Sequence, residues 1–312
     1  MKILLHARPS AGFRAQVDGV FGDGIAIVDE ADDARFRREM ADTAALLHVL
    51  TPVRPDHIAG APRLKLIQKL GVGVNTIALD AAKDAGVAVC NMPGVNAQAV
   101  AEMALALLFS VLRRTPYFDA ITREGNGWAA DSAVLDGVGE VAGRTVGLVG
   151  FGNTAARLAR AFEALGARVV YTARSAKADV PYAYLPLADL LAESDVVSLH
   201  APLTEETQGM IGRAAIAAMK PGAILVNTAR GELVDEAALA EALRSGRLRG
   251  AGLDVFAAEP AGADNPLFAL PQVVVSPHIA WLTPETLGRC LVIAKENVRR
   301  LAAGEPLLNR VV

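Results

Sequence analysis

Short, nearly uninterrupted apolar runs recur along this 312-residue chain, each separated from the next by a segment long enough for a helix or crossover. Five come first, at 3–5, 25–28, 46–50, 64–70 and 87–89, and six follow at 145–149, 168–171, 196–199, 223–227, 252–255 and 273–275. A strand that is apolar on successive residues must be buried on both faces, and alternating helices are what cover both faces of a parallel sheet. The pattern therefore predicts an α/β protein with two doubly wound parallel-sheet domains. The length agrees, at roughly 100–200 residues per domain.

A helical pattern runs from Ala97 towards Arg114, apolar around most of its circumference, which predicts burial between domains or subunits. Its apolar stretch, 97–112, carries Glu102 and is too short to cross a bilayer, which takes about 20 residues. The glycine-punctuated stretch 125–143 reads as an irregular surface connection, and a last helix runs from Pro284 to about Ala303. Hydrophobic residues make up 52% and charged ones 21%, which excludes a disordered chain. The net charge of -3 offers no positive field for nucleic acid or anionic membranes, so neither is expected as a partner. Cys90 and Cys290 stand alone, so no metal site is expected, and with no signal-peptide pattern at the start the expected compartment is the cytoplasm.

The strand at 145–149 runs straight into Gly150-Phe151-Gly152-Asn153-Thr154-Ala155, a G-x-G-x-x-G/A turn that opens a helix. Gly150 permits the tight turn, Gly152 lets backbone approach a pyrophosphate, and the small Ala155 allows close helix–strand packing. Free N–H groups on the first helical turn, at Asn153 and Thr154, suit the phosphates. The signal is dinucleotide binding. About 20 residues on, where NAD sites usually carry an acid for the ribose, stands Thr172. With no carboxylate to repel a 2′-phosphate, and with Arg174, Ser175 and Lys177 beside it, the local chemistry favours NADP over NAD.

Three further signals follow strand ends. Asn227-Thr228-Ala229-Arg230-Gly231 puts a guanidinium at a carboxyl edge, where ligands of open sheets collect. Its fork of donors suits a carboxylate and an adjacent carbonyl oxygen. Asp254 and Glu259 place two acids beyond the next strand, and Ser276-Pro277-His278 puts an imidazole after the last.

These segments, with Gly71-Val72-Gly73-Val74-Asn75 and the run from Ser194 to Thr204, together resemble the D-isomer-specific 2-hydroxyacid dehydrogenase family over essentially the whole chain. The resemblance implies a Rossmann cofactor domain at 98–282, inserted into a flavodoxin-like substrate domain made of 1–97 and 283–312. It implies that Arg230, Glu259 and His278 are the catalytic arginine, glutamate and histidine of a 2-oxo acid reductase. Val72, Gly73 and Val74 match the loop that holds the substrate carboxylate, although Asn75 stands where many members have aspartate. Thr228, Ala229 and Asp254 fall beside the nicotinamide, and His200, Ala201 and Pro202 beside the adenosine half. Trp281, three residues past the histidine, either walls the substrate pocket or simply packs. The likeness is nearest to glyoxylate and hydroxypyruvate reductases, and members are commonly homodimers, here through 97–112 and the arm 115–143. The same fold also serves a dinucleotide-sensing corepressor and relatives acting on formate or phosphite, which stand as the alternatives.

Overall fold

Burial along the short apolar runs is nearly unbroken, and parallel pairing is how such runs satisfy their backbones with helices on both sides. The computed structural model describes residues 1–312, in two compact units, one of residues 1–96 with 281–312 and one of 97–280.

The first unit begins β1 (Ile3–His6), α1 (Ala11–Phe21), β2 (Ile25–Val28), α2 (Asp33–Met40), β3 (Ala45–His48), α3 (Pro55–Ala59), β4 (Leu66–Lys69), α4 (Leu79–Asp84) and β5 (Ala88–Cys90). Its five strands are all parallel, in the order β2-β1-β3-β4-β5. The two faces of the sheet carry separate apolar cores. Leu5, Leu47 and Leu66 lie in one, and Leu4, Leu46 and Ile67 in the other, as the alternation of side chains along a strand requires.

The second unit starts with α5 (Ala97–Leu112), α6 (Thr115–Arg123) and α7 (Ser132–Asp136). It continues β6 (Thr145–Val149), α8 (Asn153–Ala164), β7 (Arg168–Thr172), β8 (Ala183–Tyr184), α9 (Leu187–Glu193), β9 (Val196–Leu199) and α10 (Arg213–Ala218). β10 (Ala223–Asn227), α11 (Glu236–Arg244), β11 (Leu248–Leu253) and β12 (Val273–Val275) complete it. The seven strands are again parallel, in the order β12-β11-β10-β9-β6-β7-β8. The chain steps outward from β6 through β7 to β8, then returns to place β9 on the other side of β6. That reversal opens a crevice at the carboxyl ends of β6 and β9.

The chain re-enters the first unit with α12 (Pro284–Ala303). Thr283 caps it by accepting from the Thr286 N–H at 3.1 Å, Pro284 occupies the first turn, and Gly304 ends it at φ 69°. These bounds match the sequence expectation. Three details depart from it. The stretch 125–143 is not wholly irregular, since α7 forms there, capped by Asp131 through the Ala133 N–H at 2.8 Å. β11 begins at Leu248 rather than Gly252, because pairing with β10 extends through Gly250 whatever the apolar content. β8 is a two-residue exposed strand with no apolar run to announce it. No helix is long and apolar enough to cross a membrane.

Candidate functional site

The glycine turn leaves β6 at Gly150, whose φ of 90° is a conformation that other residues adopt only at a cost. A Cβ there would lie 2.7 Å from the backbone of His200 and Ala201, so only glycine lets the turn after β6 touch the turn after β9. At Gly152, by contrast, a Cβ would point into open space, and no side chain caps α8. The first turn of α8 thus presents its N–H groups, uncapped by any side chain, beside the open face of Gly152, the arrangement a pyrophosphate needs. Phe151 packs on Tyr171 with ring centroids 4.6 Å apart, which seats the turn on β7.

Thr172 ends β7, buried, and its carbonyl accepts from the Gly150 N–H at 2.9 Å. Arg174, Ser175 and Lys177 beyond it are exposed, and the Lys177 N–H donates to the Tyr171 hydroxyl at 2.8 Å, which shapes that turn. After β9, His200 sits 2.9 Å from the Ser198 hydroxyl, and burial pushes its pKa down to about 4, so it stays neutral. After β10, the Thr228 hydroxyl is buried without a partner, an orphaned polar atom at the same carboxyl edge. The uncapped helix turn and this orphan are the features a dinucleotide would complete. The residues fit one.

Arg230 is held by its own turn. Buried Asn227 donates to the Arg230 carbonyl at 2.8 Å and accepts from the Ala229 N–H at 3.0 Å. The guanidinium donates to the Ala229 carbonyl at 2.6 Å. Burial draws its pKa down, opposed by the fields of Glu232 and Glu259, which puts Arg230 within electrostatic reach of Glu259.

Glu259 and His278 meet directly, Oε2 to Nδ1 at 2.6 Å. A carboxylate can only accept, so Nδ1 carries the hydrogen of this bond and Nε2 is left to give or take the reacting proton. Burial works against the Glu259 charge, but hydrogen bonds from His278 and from the Phe256 N–H at 3.0 Å outweigh it and hold its pKa below the usual glutamate range. The pair is partly open to solvent, with side-chain exposures of 21% for His278 and 34% for Glu259.

Asp254 does more than its sequence position suggested. Its carboxylate, only 1% exposed, accepts from Ser276 Oγ at 2.5 Å, from the Ile279 N–H at 3.0 Å and from the Ala280 N–H at 2.9 Å. Its carbonyl accepts from the His278 N–H at 2.7 Å. These bonds clamp residues 276–280 and hold His278 at φ 54°, a left-handed backbone that costs a non-glycine residue about 1–2 kcal/mol. Burial pushes the Asp254 pKa up, against the four groups that favour its charge. Sequence reasoning missed this clamp, as it missed Asn227 and Glu236, whose carboxylate braces the Glu259 turn through the Ala257 N–H at 2.7 Å and Asn265 at 3.0 Å. An Asn or Asp at the end of a buried strand was the available signal.

Arg230, Asp254, Glu259 and His278, with the residues expected at the cofactor, therefore all stand on the carboxyl edge of one sheet. Val72, Gly73 and Val74 follow β4 in the first unit, where the Val72 carbonyl accepts from Asn91 at 2.9 Å and Val72 is 42% exposed. Trp281 also belongs to that unit and packs, half-buried, on the core that contains Leu287 and Leu291, so its packing reading is accounted for.

Comparison with known proteins finds that residues 105–280 match the model for the D-isomer specific 2-hydroxyacid dehydrogenase, NAD binding domain. The chain is 44% identical over 294 residues to D-3-phosphoglycerate dehydrogenase of Mycobacterium tuberculosis, covering 93% of this chain and 53% of that one. It therefore spans about half the length of the mycobacterial relatives it matches. It is 40% identical over 269 residues to glyoxylate reductase of Korarchaeum cryptofilum, covering 85% of this chain and 81% of the other. Among solved structures, the NADPH-dependent glyoxylate/hydroxypyruvate reductase of Sinorhizobium meliloti, in complex with NADP and malonate, superposes with a TM-score of 0.85 at 28% identity, covering 100% of this chain and 96% of that one.

Proposed function

Because the chain belongs to the D-isomer specific 2-hydroxyacid dehydrogenase family, we propose that it is an NAD(P)H-dependent reductase of a small 2-oxo acid such as glyoxylate or hydroxypyruvate, giving the D-2-hydroxy acid. The observation that carries this reading is the 2.6 Å Glu259–His278 pair with Arg230 in electrostatic reach. His278, charged and backed by Glu259, gives its Nε2 proton to the alkoxide that develops as the carbonyl is reduced. Arg230 anchors the carboxylate and polarises the carbonyl oxygen. The nicotinamide supplies the hydride when bound, and the Gly150–Thr154 turn, the Thr228–Ala229 turn and residues 200–202 would hold the dinucleotide. In the oxidative direction neutral His278 is the base, so low pH favours reduction and high pH oxidation.

The turn after β7 supports NADPH as the preferred cofactor. It carries no acid at Thr172 to repel a 2′-phosphate, and Arg174 and Ser175, both exposed, follow within three residues as groups able to receive one. The substrate-carboxylate loop at Val72–Val74 and a homodimer complete the proposal. For the dimer the support is an arm in which α6 and α7 have no buried residue and Trp128 is 93% exposed.

A phosphorylated 3-carbon acid is the second reading, favoured by the identity to D-3-phosphoglycerate dehydrogenases. Against it, Arg230 is the one Lys or Arg on the turns that follow β9, β10, β11 and β12. In the proposed mechanism the carboxylate of the substrate takes it, which leaves no cation on these turns for a phosphate. Steady-state rates for glyoxylate, hydroxypyruvate, pyruvate and phenylpyruvate, each with NADPH and NADH, and for D-3-phosphoglycerate oxidation, decide the matter. Turnover of glyoxylate or hydroxypyruvate with NADPH ahead of the rest is expected. Preferred turnover of D-3-phosphoglycerate, or of formate or phosphite, would overturn the substrate. Dinucleotide binding without turnover of any of them would move the chain to the corepressor class.

A further inference from the structure

The amino edge of the second unit's sheet carries cations that the chemistry at the carboxyl edge does not use. Arg144 immediately precedes β6, Arg249 lies on β11, and Arg114 precedes α6 with a left-handed backbone at φ 54°. Their guanidinium groups converge on residues 137–139. Arg249 donates to the carbonyls of Gly137 and Leu112, and Arg144 donates to the Glu140 carbonyl at 2.5 Å. A Cβ at Gly139 would lie 2.8 Å from Arg144 Nη2 and 3.3 Å from Arg249 Nη1, and one at Gly137 would lie 3.8 Å from Arg114 Nη2.

No carboxylate comes within 4.0 Å of any of the three. Asp195, whose field reaches Arg144, is already engaged by Lys220 at 3.1 Å and by the Thr145 N–H at 2.8 Å. Arg249 Nε is buried with no partner, and burial together with the fields of Arg144 and Arg114 disfavours its charge. Beside the cluster lies a cavity of about 580 Å³, lined by Arg114, Arg249, Gln272, Leu243, Leu248 and Pro271.

Partly buried like charges without a counter-charge repel one another at reduced dielectric, and the repulsion is relieved when an anion enters. The planar forks of arginine match phosphate and carboxylate oxygens two at a time. We propose that this cavity binds a small organic anion bearing phosphate or carboxylate groups, held by Arg114 and Arg249, whose field Arg144 reinforces from beside the cavity, with its carbon skeleton on Leu243, Leu248 and Pro271. Its place at the amino ends of the strands separates it from the Arg230–His278 edge. The occupant bridges the arm, through 137–139, to β11, so it would tie the arm to the sheet.

Calorimetric titration of the full chain with inorganic phosphate and with citrate separates the two anion chemistries. At least one probe is expected to bind wild type, with affinity about tenfold or more lower in Arg144→Gln and in Arg249→Gln. Arg230→Gln is expected to leave that binding intact, and Arg144→Gln to keep kcat unchanged in anion-poor buffer. Arg144→Gln, which alters no strand residue, carries the test if Arg249→Gln fails to fold by circular dichroism. Three results would overturn the proposal. One is no binding of either probe. Another is binding lost in Arg230→Gln but kept in the cluster variants. The third is unchanged probe binding in variants that turn a dimer into monomer, which would assign the arginines to acidic side chains of a second copy.

Discussion

At the carboxyl edge of the first unit's sheet, His6, His48 and Lys69 stand in register on β1, β3 and β4, while at the same edge of the second unit Arg230, Glu259 and His278 stand on turns beyond β10, β11 and β12. The residue types are comparable, and their chemistry is opposite. His6 is 2% exposed, lies flat on Phe36 with centroids 3.8 Å apart, and has no partner for either ring nitrogen. Burial pushes its pKa down to about 4. His48 shares Nε2 with the Thr76 hydroxyl at 2.8 Å, and burial holds it well below the usual histidine range. Lys69 donates to the Val49 carbonyl. A histidine on the strand itself is enclosed by the helices that cover the sheet, so its neutral form wins. One on a turn past the strand end can meet both a counter-charge and solvent, and so can exchange protons.

Four measurements would break or sharpen this contrast. The largest effect is expected from His278→Ala, which should lower kcat by about 10²–10⁴ with cofactor affinity nearly unchanged. Steady-state rates that stay close to wild type would put His278 on a par with the first unit's histidines.

Next comes the pH dependence of stability. A histidine near 6.5 when unfolded and near 4 when folded binds its proton preferentially in the unfolded chain, so stability is lost as pH falls through that window. His6 alone contributes a loss of about 3 kcal/mol between those pH values, readable by urea unfolding, and His6→Leu should flatten the slope with kcat unchanged. An unaltered slope in the variant would mean that His6 is not the buried neutral group described.

Glu259→Gln should cost about tenfold to a hundredfold in kcat, since an amide can still accept from Nδ1 but supplies no counter-charge to the imidazolium. In wild type, because the Glu259 pKa is depressed, loss of its charge and of the stability it lends should appear only below the ordinary glutamate range. A pH–rate profile that loses activity well above that range through Glu259 would contradict the pairing.

The smallest effect is expected at the cofactor end. Arg174→Ala should weaken NADPH binding about tenfold more than NADH binding, as loss of one charge-assisted contact does. Equal losses for both, measured by fluorescence titration, would remove Arg174 from phosphate recognition.

Much of the fold was legible because a doubly wound sheet writes itself locally. Apolar runs at 25–28, 145–149, 196–199, 223–227 and 273–275 coincide with β2, β6, β9, β10 and β12, and Thr283, Pro284 and Gly304 bound α12. What escaped was held by partners rather than by pattern. β8 exists only through its pairing of Ala183 and Tyr184 with Val170 and Tyr171 of β7, and α7 rests on the Asp131 cap in a glycine-rich stretch.

The candidate site divides the same way. Residue types at strand ends and the Gly150–Gly152 turn are properties of local order along the chain, so reading them needed nothing beyond spacing. That Asp254 clamps residues 276–280, that Glu259 reaches His278 across 19 positions, and that His6 and His48 lie sealed under helices are matters of which distant segments meet. Five histidines look alike in one dimension. Burial and a carboxylate at 2.6 Å, which only packing in three dimensions brings about, separate the one poised to move a proton from those held neutral.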